Sequence, residues 1–168
     1  MSGPVVIGED AASEAIRARL AAERAGPGVL VFVAPSASPR PIAETTAAEF
    51  SDRVGGVLRS AFLALKSAVE TMRARGEGGS VVFVAPAAPE RAFDACRQGL
   101  RLLTKAAALE LGPEGIRVNV VLPGAGATPL GRACSPQDIA GAVAFAASER
   151  AHFMTGADLV VDGGAMAL

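Results

Sequence analysis

The 168-residue chain contains no tyrosine and no tryptophan. No phenol is present to donate a proton, so chemistry that depends on a tyrosine acid is excluded throughout the protein. Histidine and cysteine are also scarce: there is one histidine, His152, and the two cysteines, Cys96 and Cys134, form neither a metal-binding spacing nor a disulfide framework. A metal site is therefore not expected, and Cys96 is interpreted as a reduced core or interface residue.

Excess charge of one sign and long apolar runs are missing as well. The net charge is −1 and the charges are dispersed, which argues against nucleic acid or an anionic membrane as a partner. No apolar run reaches transmembrane length, and the first residues lack the basic region and apolar stretch of a leader peptide. The sequence therefore predicts a cytoplasmic protein with no membrane or nucleic-acid partner.

Short valine-rich runs alternate with longer alanine-rich segments along the whole chain. Continuous apolar runs of this kind are typical of strands that are buried on both faces of a parallel sheet. Strands are predicted at 5–7, 29–33, 80–84, 117–122 and 158–162, and helices at 11–24, 50–75, 93–111 and 136–148. The expected fold is α/β: one domain spanning 1–168, with a truncated, Rossmann-like parallel sheet of about five strands and helices on both faces.

Polar residues at the predicted helix ends are given structural roles. Thr45 or Thr46 begins the long helix, because Glu49 completes a capping box with Thr46. Ser135, followed by Pro136, caps the last helix, with Asp138 in its first turn. The adjacent acids Glu9 and Asp10 are interpreted as residues at the start of the first helix. Glu149 and His152 are interpreted as residues at the end of the last helix.

Motifs in the C-terminal half occur in a specific order. They are Gly115-Ile116-Arg117-Val118-Asn119, Pro123-Gly124 with Thr128-Pro129, Pro136-Gln137-Asp138-Ile139-Ala140, and Thr155-Gly156 with Val161-Asp162-Gly163-Gly164. This order resembles the short-chain dehydrogenase/reductase family, close to its 3-oxoacyl-carrier-protein reductase-like members, from about Val5 to the end. The resemblance implies NAD(P)-dependent hydride transfer, an oligomeric assembly, and a structural turn role for Asp162.

The catalytic positions that the resemblance implies have all changed. The family's asparagine, serine, tyrosine and lysine align with Val57, Pro86, Phe93 and Arg97, and the serine aligns with Ala85 if the register slips by one. A phenyl ring cannot donate a proton to a carbonyl. No catalytic residue is therefore expected, and Phe93 is predicted to fill the former active site.

The cofactor elements of the family have changed as well. Its glycine-rich turn, which lets a pyrophosphate approach a helix N-terminus, is missing, and Phe32-Val33-Ala34-Pro35 replaces its Asn-Asn-Ala-Gly. No cofactor is expected, and Pro123, Gly124 and Thr128 are interpreted as remnants. Two alignments of Val5-Val6-Ile7 are open: the family's third strand, which is preferred because the first helix then falls in register, or its first strand with the following unit excised.

The segments that form the family's subunit interfaces are retained. These are the helices at 46–75 and 93–111 and the C-terminal strand. The sequence therefore predicts a non-catalytic scaffold or partner subunit, either a homo-dimer or homo-tetramer or a hetero-oligomer with a full-length active relative. One alternative is a non-redox enzyme, such as a cyclase, dehydratase or isomerase, that uses a remnant pocket near 123–128. The other is a minimal NAD(P)-dependent ketone or 3-oxoacyl reductase.

Overall fold

The protein folds as one parallel sheet with helices on both faces. The computed structural model describes residues 3–26, 28–36, 38–87 and 93–167. Within them, five strands lie side by side in chain order, each parallel to the next. They are β1 (Val5–Ile7), β2 (Val29–Val33), β3 (Gly79–Val84), β4 (Ile116–Pro123) and β5 (Asp158–Val161). The predicted α/β class, the five strands and the Rossmann-like sheet are confirmed.

Five α-helices connect or flank the strands in the described residues. They are α1 (Ala11–Ala22), α2 (Ala47–Phe50), α3 (Val57–Arg75), α4 (Asp94–Leu111) and α5 (Pro136–Ala147), with short 3-10 helices at Ile42–Glu44, Gly112–Glu114, Glu149–Ala151 and Ala165–Ala167. None of the helices in this part of the chain is both long and apolar enough to cross a membrane.

The predicted continuous helix at 50–75 is interrupted. A π-helical segment, Ser51–Gly56, separates α2 from α3, and it ends on the pair Gly55-Gly56. Glycine pairs and π-turns are common sites of helix distortion, because glycine lacks the side chain that restrains the backbone. The helical stretch begins with a capping box between Thr46 and Glu49, as predicted for Thr46.

The sheet separates two hydrophobic cores. On one face, Ala61, Leu65 and Val69 of α3 and Leu100 of α4 pack against strand residues such as Phe83. On the other face, Ile16 and Leu20 of α1 and Val143 of α5 pack against the alternate strand side chains. β2 is buried along its full length, as its unbroken apolar run predicted.

The placement of the helices gives the connections opposite hands. The strands step in one direction across the sheet, yet α1 and α5 lie on one face while α3 and α4 lie on the other. The connections through α1 and α5 are therefore opposite in hand to those through α3 and α4. Because about 98% of such connections are right-handed, a chain in which both hands occur needs a specific explanation.

For α1, the explanation is the identity of β1. In the usual Rossmann order 3-2-1-4-5-6, the fourth strand neighbours the first and not the third. β2 resembles the family's fourth strand, and β1 pairs with it, with Val5 opposite Leu30. The preferred alignment of β1 with the third strand is therefore wrong, and β1 takes the first position. In that order the chain runs from strand 1 toward strand 2, on the side that faces away from strand 4. The helix that follows strand 1 therefore lies on the face of the sheet where α1 lies.

Candidate functional site

The carboxyl ends of the strands form the edge where sheets of this type bind ligands. Pro86 follows β3, Pro123 ends β4, and Phe93 and Arg97 lie at the start of α4, so the chain brings these four residues to one place. Pro86 and Pro123 are buried, like Phe93 and Arg97.

Arg97 braces this edge. Its Nη1 donates hydrogen bonds to the carbonyl oxygens of Pro86 and Pro123, each at 2.8 Å, and the residue is only 8% exposed. An Nη nitrogen carries two protons, so both donors of this nitrogen are used by the backbone. Arg97 therefore ties α4 to the ends of β3 and β4.

The phenyl ring of Phe93 is buried at the start of α4. The residue is 3% exposed and belongs to the core that contains Phe32, Ala85 and Leu122. The Arg53 guanidinium carbon lies 5.4 Å from the centre of its ring, a cation–π distance. Sequence reasoning missed Arg53, which lies in the π-helical segment Ser51–Gly56, because the contact joins residues that are distant in the chain.

The two other catalytic positions carry no group that exchanges a proton. Val57 is the first residue of α3 and packs partly buried against the same core. Pro86 has neither a side-chain donor nor a backbone N–H, and Ala85, the alternative position, is 2% exposed. The side chains of Val57, Pro86 and Ala85 therefore have no proton to donate and no atom that accepts one.

The interpreted cofactor remnants have structural tasks. A Cβ added to Gly124 would lie 2.5 Å from the Cβ and 2.7 Å from the Cα of Asp162, so only glycine fits between the ends of β4 and β5. The hydroxyl of Thr128 donates to the carbonyl of Arg132 at 2.7 Å. Asp162 accepts from the backbone N–H groups of Gly164 and Met166, both at 2.9 Å, in agreement with its predicted turn role.

The N-terminus of α1 is capped by a carboxylate. Asp10 accepts from the backbone N–H of Ser13 at 2.8 Å and from its hydroxyl at 2.6 Å. Asp10 is thus the N-cap and Glu9 directly precedes it, so both acids lie at the N-terminus of the helix, as predicted. The turn that precedes α1 has no room for a side chain at Gly8, since a Cβ there would lie 2.3 Å from the Ser13 Oγ and 2.9 Å from the Val33 Cβ. In dinucleotide folds this position carries the pyrophosphate.

Asp138 organises the start of α5. Its carboxylate pairs with the guanidinium of Arg132 at 2.5 Å and accepts from the hydroxyl of Ser135 at 2.7 Å. These hydrogen bonds, that of Arg132 foremost, hold the pKa of Asp138 well below its ordinary value. Burial, together with the charge of Asp138, raises the pKa of the nearby Cys134 thiol. That thiol therefore stays protonated and is a poor nucleophile at neutral pH.

A cleft of about 850 Å³ lies at the opposite, amino edge of the sheet. Arg117 in its wall donates to the carbonyls of Ala146, at 2.8 Å, and of Ser148, at 3.2 Å, at the C-terminal end of α5. Burial lowers the pKa of Arg117, and the negative charge of Glu149 offsets part of that shift. His152, also in the wall, has its Nδ1 3.1 Å from the Glu149 carbonyl, which agrees with its predicted helix-end role. This cleft does not coincide with the pocket predicted near 123–128.

Metal ligands are not assembled in the described ranges, where no group of three or more histidine, cysteine, aspartate or glutamate side chains could hold an ion. Cys96 is 2% exposed and belongs to the α3/α4 core, as its core assignment predicted. The carboxyl edge thus presents a phenyl ring, a proline ring and a guanidinium bound to carbonyl oxygens.

The parallel sheet and its flanking helices define a Rossmann-like α/β protein. The family model described as "Enoyl-(Acyl carrier protein) reductase" matches residues 5–130 and 125–166. The chain belongs to the short-chain dehydrogenase/reductase family.

Named relatives include active dehydrogenases. The cyclopentanol dehydrogenase of Comamonas sp. is 35% identical over 151 residues, which cover 74% of this chain and 60% of that protein. The L-rhamnose 1-dehydrogenase (NAD(P)(+)) of Azotobacter vinelandii is 35% identical over 66% of this chain and 54% of its own length. The chain therefore spans little more than half the length of these relatives.

A solved structure and a further relative match most of this chain but only part of their own length. A short-chain dehydrogenase/reductase oxidoreductase from Burkholderia thailandensis superposes with a TM-score of 0.78 at 30% identity, covering 96% of this chain and 73% of its own. A short-chain dehydrogenase/reductase of Armillaria gallica is 32% identical over 190 aligned residues, more than the 168 of this chain. That alignment must therefore open gaps within the chain.

Proposed function

We propose that this chain is a non-catalytic member of its family that acts as an assembly subunit. In this proposal it pairs with a full-length, active relative through α3, α4 and β5, and thereby stabilises or modulates that enzyme. The observation that carries the proposal is the hydrogen bonding of Arg97, the residue at the position of the family's lysine. Its Nη1 donates to the carbonyl oxygens of both Pro86 and Pro123. A residue committed to two buried backbone groups serves the fold and not a substrate.

The proposal includes the absence of a nicotinamide cofactor. NAD(P) is the cofactor that the family implies, and its pyrophosphate needs free N–H groups and positive potential at the N-terminus of α1. Asp10 accepts from one of those N–H groups, and Glu9 and Glu14 add two further carboxylates beside it. The residues present do not fit the group. The glycine-rich unit is thus best described as a first strand and helix that have lost their phosphate turn.

The proposed assembly surface carries exposed apolar side chains on two helices. Phe62 and Leu63 on α3 are 52% and 50% exposed, and Leu102 and Leu109 on α4 are 67% and 84% exposed. These helices pack side by side on one face of the sheet. Apolar patches on adjacent helices mark protein contact sites. On the last strand, β5, Val160 is an apolar side chain that is 48% exposed.

The structure favours this proposal over a non-redox enzyme. A cyclase, dehydratase or isomerase would need a cavity at the carboxyl edge, where Phe32, Phe93 and Pro86 are instead buried in the core. The third possibility, a minimal NAD(P)-dependent reductase, would need both a proton donor and a phosphate site. Location in the cytoplasm and the absence of nucleic-acid partners stay predictions, supported by a net charge of −1.

The test combines cofactor titration with co-purification. The purified chain is titrated with NADPH and with NADH, and we expect no saturable binding of either. The chain is then co-expressed with full-length reductases of the same family, and we expect at least one to co-purify and to change its turnover number. Leu109→Arg provides the matched variant, since it should abolish co-purification without affecting folding. Micromolar binding of either nucleotide, or a homo-oligomer that ignores every such reductase, contradicts the proposal.

A further inference from the structure

β1 is an edge strand. Within the described residues it pairs with β2 alone, whereas in the usual Rossmann order the first strand lies between two others. An edge strand presents unpaired N–H and C=O groups, which are a template for pairing with another chain. With β1 as the family's first strand, the strands that would lie on its other side in the usual order are the ones excised, and their loss leaves this edge free.

The free side of β1 carries the peptide groups of Val6 and Gly8. Alternate residues of a strand direct their carbonyls to the same side, so Val6 and Gly8 point one way and Val5 and Ile7 the other. The carbonyls of Val6 and Gly8 both accept from Arg17, at 3.2 Å and 2.5 Å. We therefore assign this side to the outer edge of the sheet.

Arg17 reaches this edge from the exposed surface of α1. One of its guanidinium nitrogens, Nη2, serves both carbonyls, and the charged group occupies the place where an incoming strand would bind. The strand beneath is suited to pairing, because Val5, Val6 and Ile7 are all β-branched and Ile7 is 40% exposed. Charged side chains placed on an edge are a general defence against unwanted strand addition.

We propose that Arg17 is an edge guard that prevents β1 from pairing with β1 of a second copy of this chain. Two such strands related by a twofold axis would meet with Val6 opposite Val6 of the other copy. Each Val6 would then donate its outward N–H to the other's outward carbonyl, which is the self-complementary contact of an antiparallel pair. The proposal does not depend on the proposed function, because it involves neither α3 nor α4.

The test compares sedimentation of Arg17→Met with wild type. Methionine keeps the length and the helix preference of the side chain but cannot donate to the carbonyls. We expect Arg17→Met to form a larger, concentration-dependent assembly than wild type. The control is Arg19→Met on the same helix, because Arg19 pairs with Glu23 at 2.6 Å; it should sediment as wild type.

A second substitution identifies the surface that associates. Val6→Pro removes the outward N–H of β1, and proline is tolerated on edge strands. Added to Arg17→Met, it should restore the wild-type mass, whereas adding Leu109→Arg should leave the extra association in place. The proposal is overturned if Arg17→Met sediments as wild type at all concentrations. It is equally overturned if Val6→Pro fails to reverse the association, or if circular dichroism finds Arg17→Met unfolded.

Discussion

The Nη1 of Arg97 donates a hydrogen bond to the carbonyl oxygen of Pro123 at 2.8 Å. The partner of Arg97 is thus the end of β4, and a second bond from the same nitrogen reaches Pro86 after β3. The resemblance to the family implies that this position corresponds to the catalytic lysine. Here the cation holds two strands and a helix together, so its loss should affect folding.

Arg97→Ala should lower the free energy of unfolding by about 3–6 kcal/mol, the sum for two hydrogen bonds from a charged donor. The substitution leaves two buried carbonyls without a donor, and hydrogen bonds to charged groups contribute about 1.5–3 kcal/mol each. Urea denaturation measures the change. Arg59→Ala, at an exposed position of α3, is the control and should stay within about 0.5 kcal/mol of wild type. Equal denaturation midpoints for Arg97→Ala and wild type would refute the brace.

Gly124→Ala should destabilise the protein by about 1–3 kcal/mol, the usual cost of overpacking. Its new methyl group would lie 2.5 Å from the Cβ of Asp162, and the backbone there is held by the bond from the Gly124 N–H to the Val161 carbonyl. Gly141→Ala in α5 is the matched control. No atom lies within 4 Å of the added group there, so that variant should gain up to about 1 kcal/mol from helix preference. Thermal melts that rank the two variants in the reverse order would contradict this account.

Stability should fall as the pH is lowered through the acid range. The Arg132 and Ser135 hydrogen bonds lower the pKa of Asp138 in the folded state. A depressed pKa contributes stability that is present above the unfolded value, about 3.9, and is lost as the pH falls through the folded value. Asp138→Asn should therefore flatten the acid limb of the urea midpoint plotted against pH.

Arg132→Met provides the converse variant. Removal of the leading partner should raise the pKa of Asp138 toward its ordinary value, so the stability that the carboxylate contributes should be smaller over the whole range above about pH 4. Acid limbs of the same size in wild type, Asp138→Asn and Arg132→Met would show that this carboxylate does not govern the dependence.

Leu102→Arg and Leu109→Arg should reduce the native mass if α4 forms a subunit contact. Both side chains are more than half exposed in the single chain, so the substitutions should leave the circular dichroism spectrum unchanged. Phe153→Ser is the matched control, because Phe153 is 96% exposed and lies outside α3 and α4. A native mass that responds to Phe153→Ser and not to the α4 variants would move the contact to another surface.

Local sequence patterns predicted most of the elements. The runs at 29–33 and 80–84 are strands because their unbroken apolar character needs burial on both faces, and β2 is buried throughout. Ser135 caps α5 through the capping box seen in its spacing to Asp138. The π-helical segment Ser51–Gly56 was not predicted, because apolar residues at helical spacing continue across it.

By itself, the sequence determined that no tyrosine is available, since composition is a property of the chain alone. The assignment of Val57, Pro86, Phe93 and Arg97 to catalytic positions is what the resemblance to the family implies. Only the tertiary structure decided that β1 neighbours β2, that α1 lies opposite α3, and that Arg97 is bonded to two carbonyls. The reason is physical. Strand order and long-range hydrogen bonds join residues that are distant in the chain, and local preferences do not specify which distant partner is chosen.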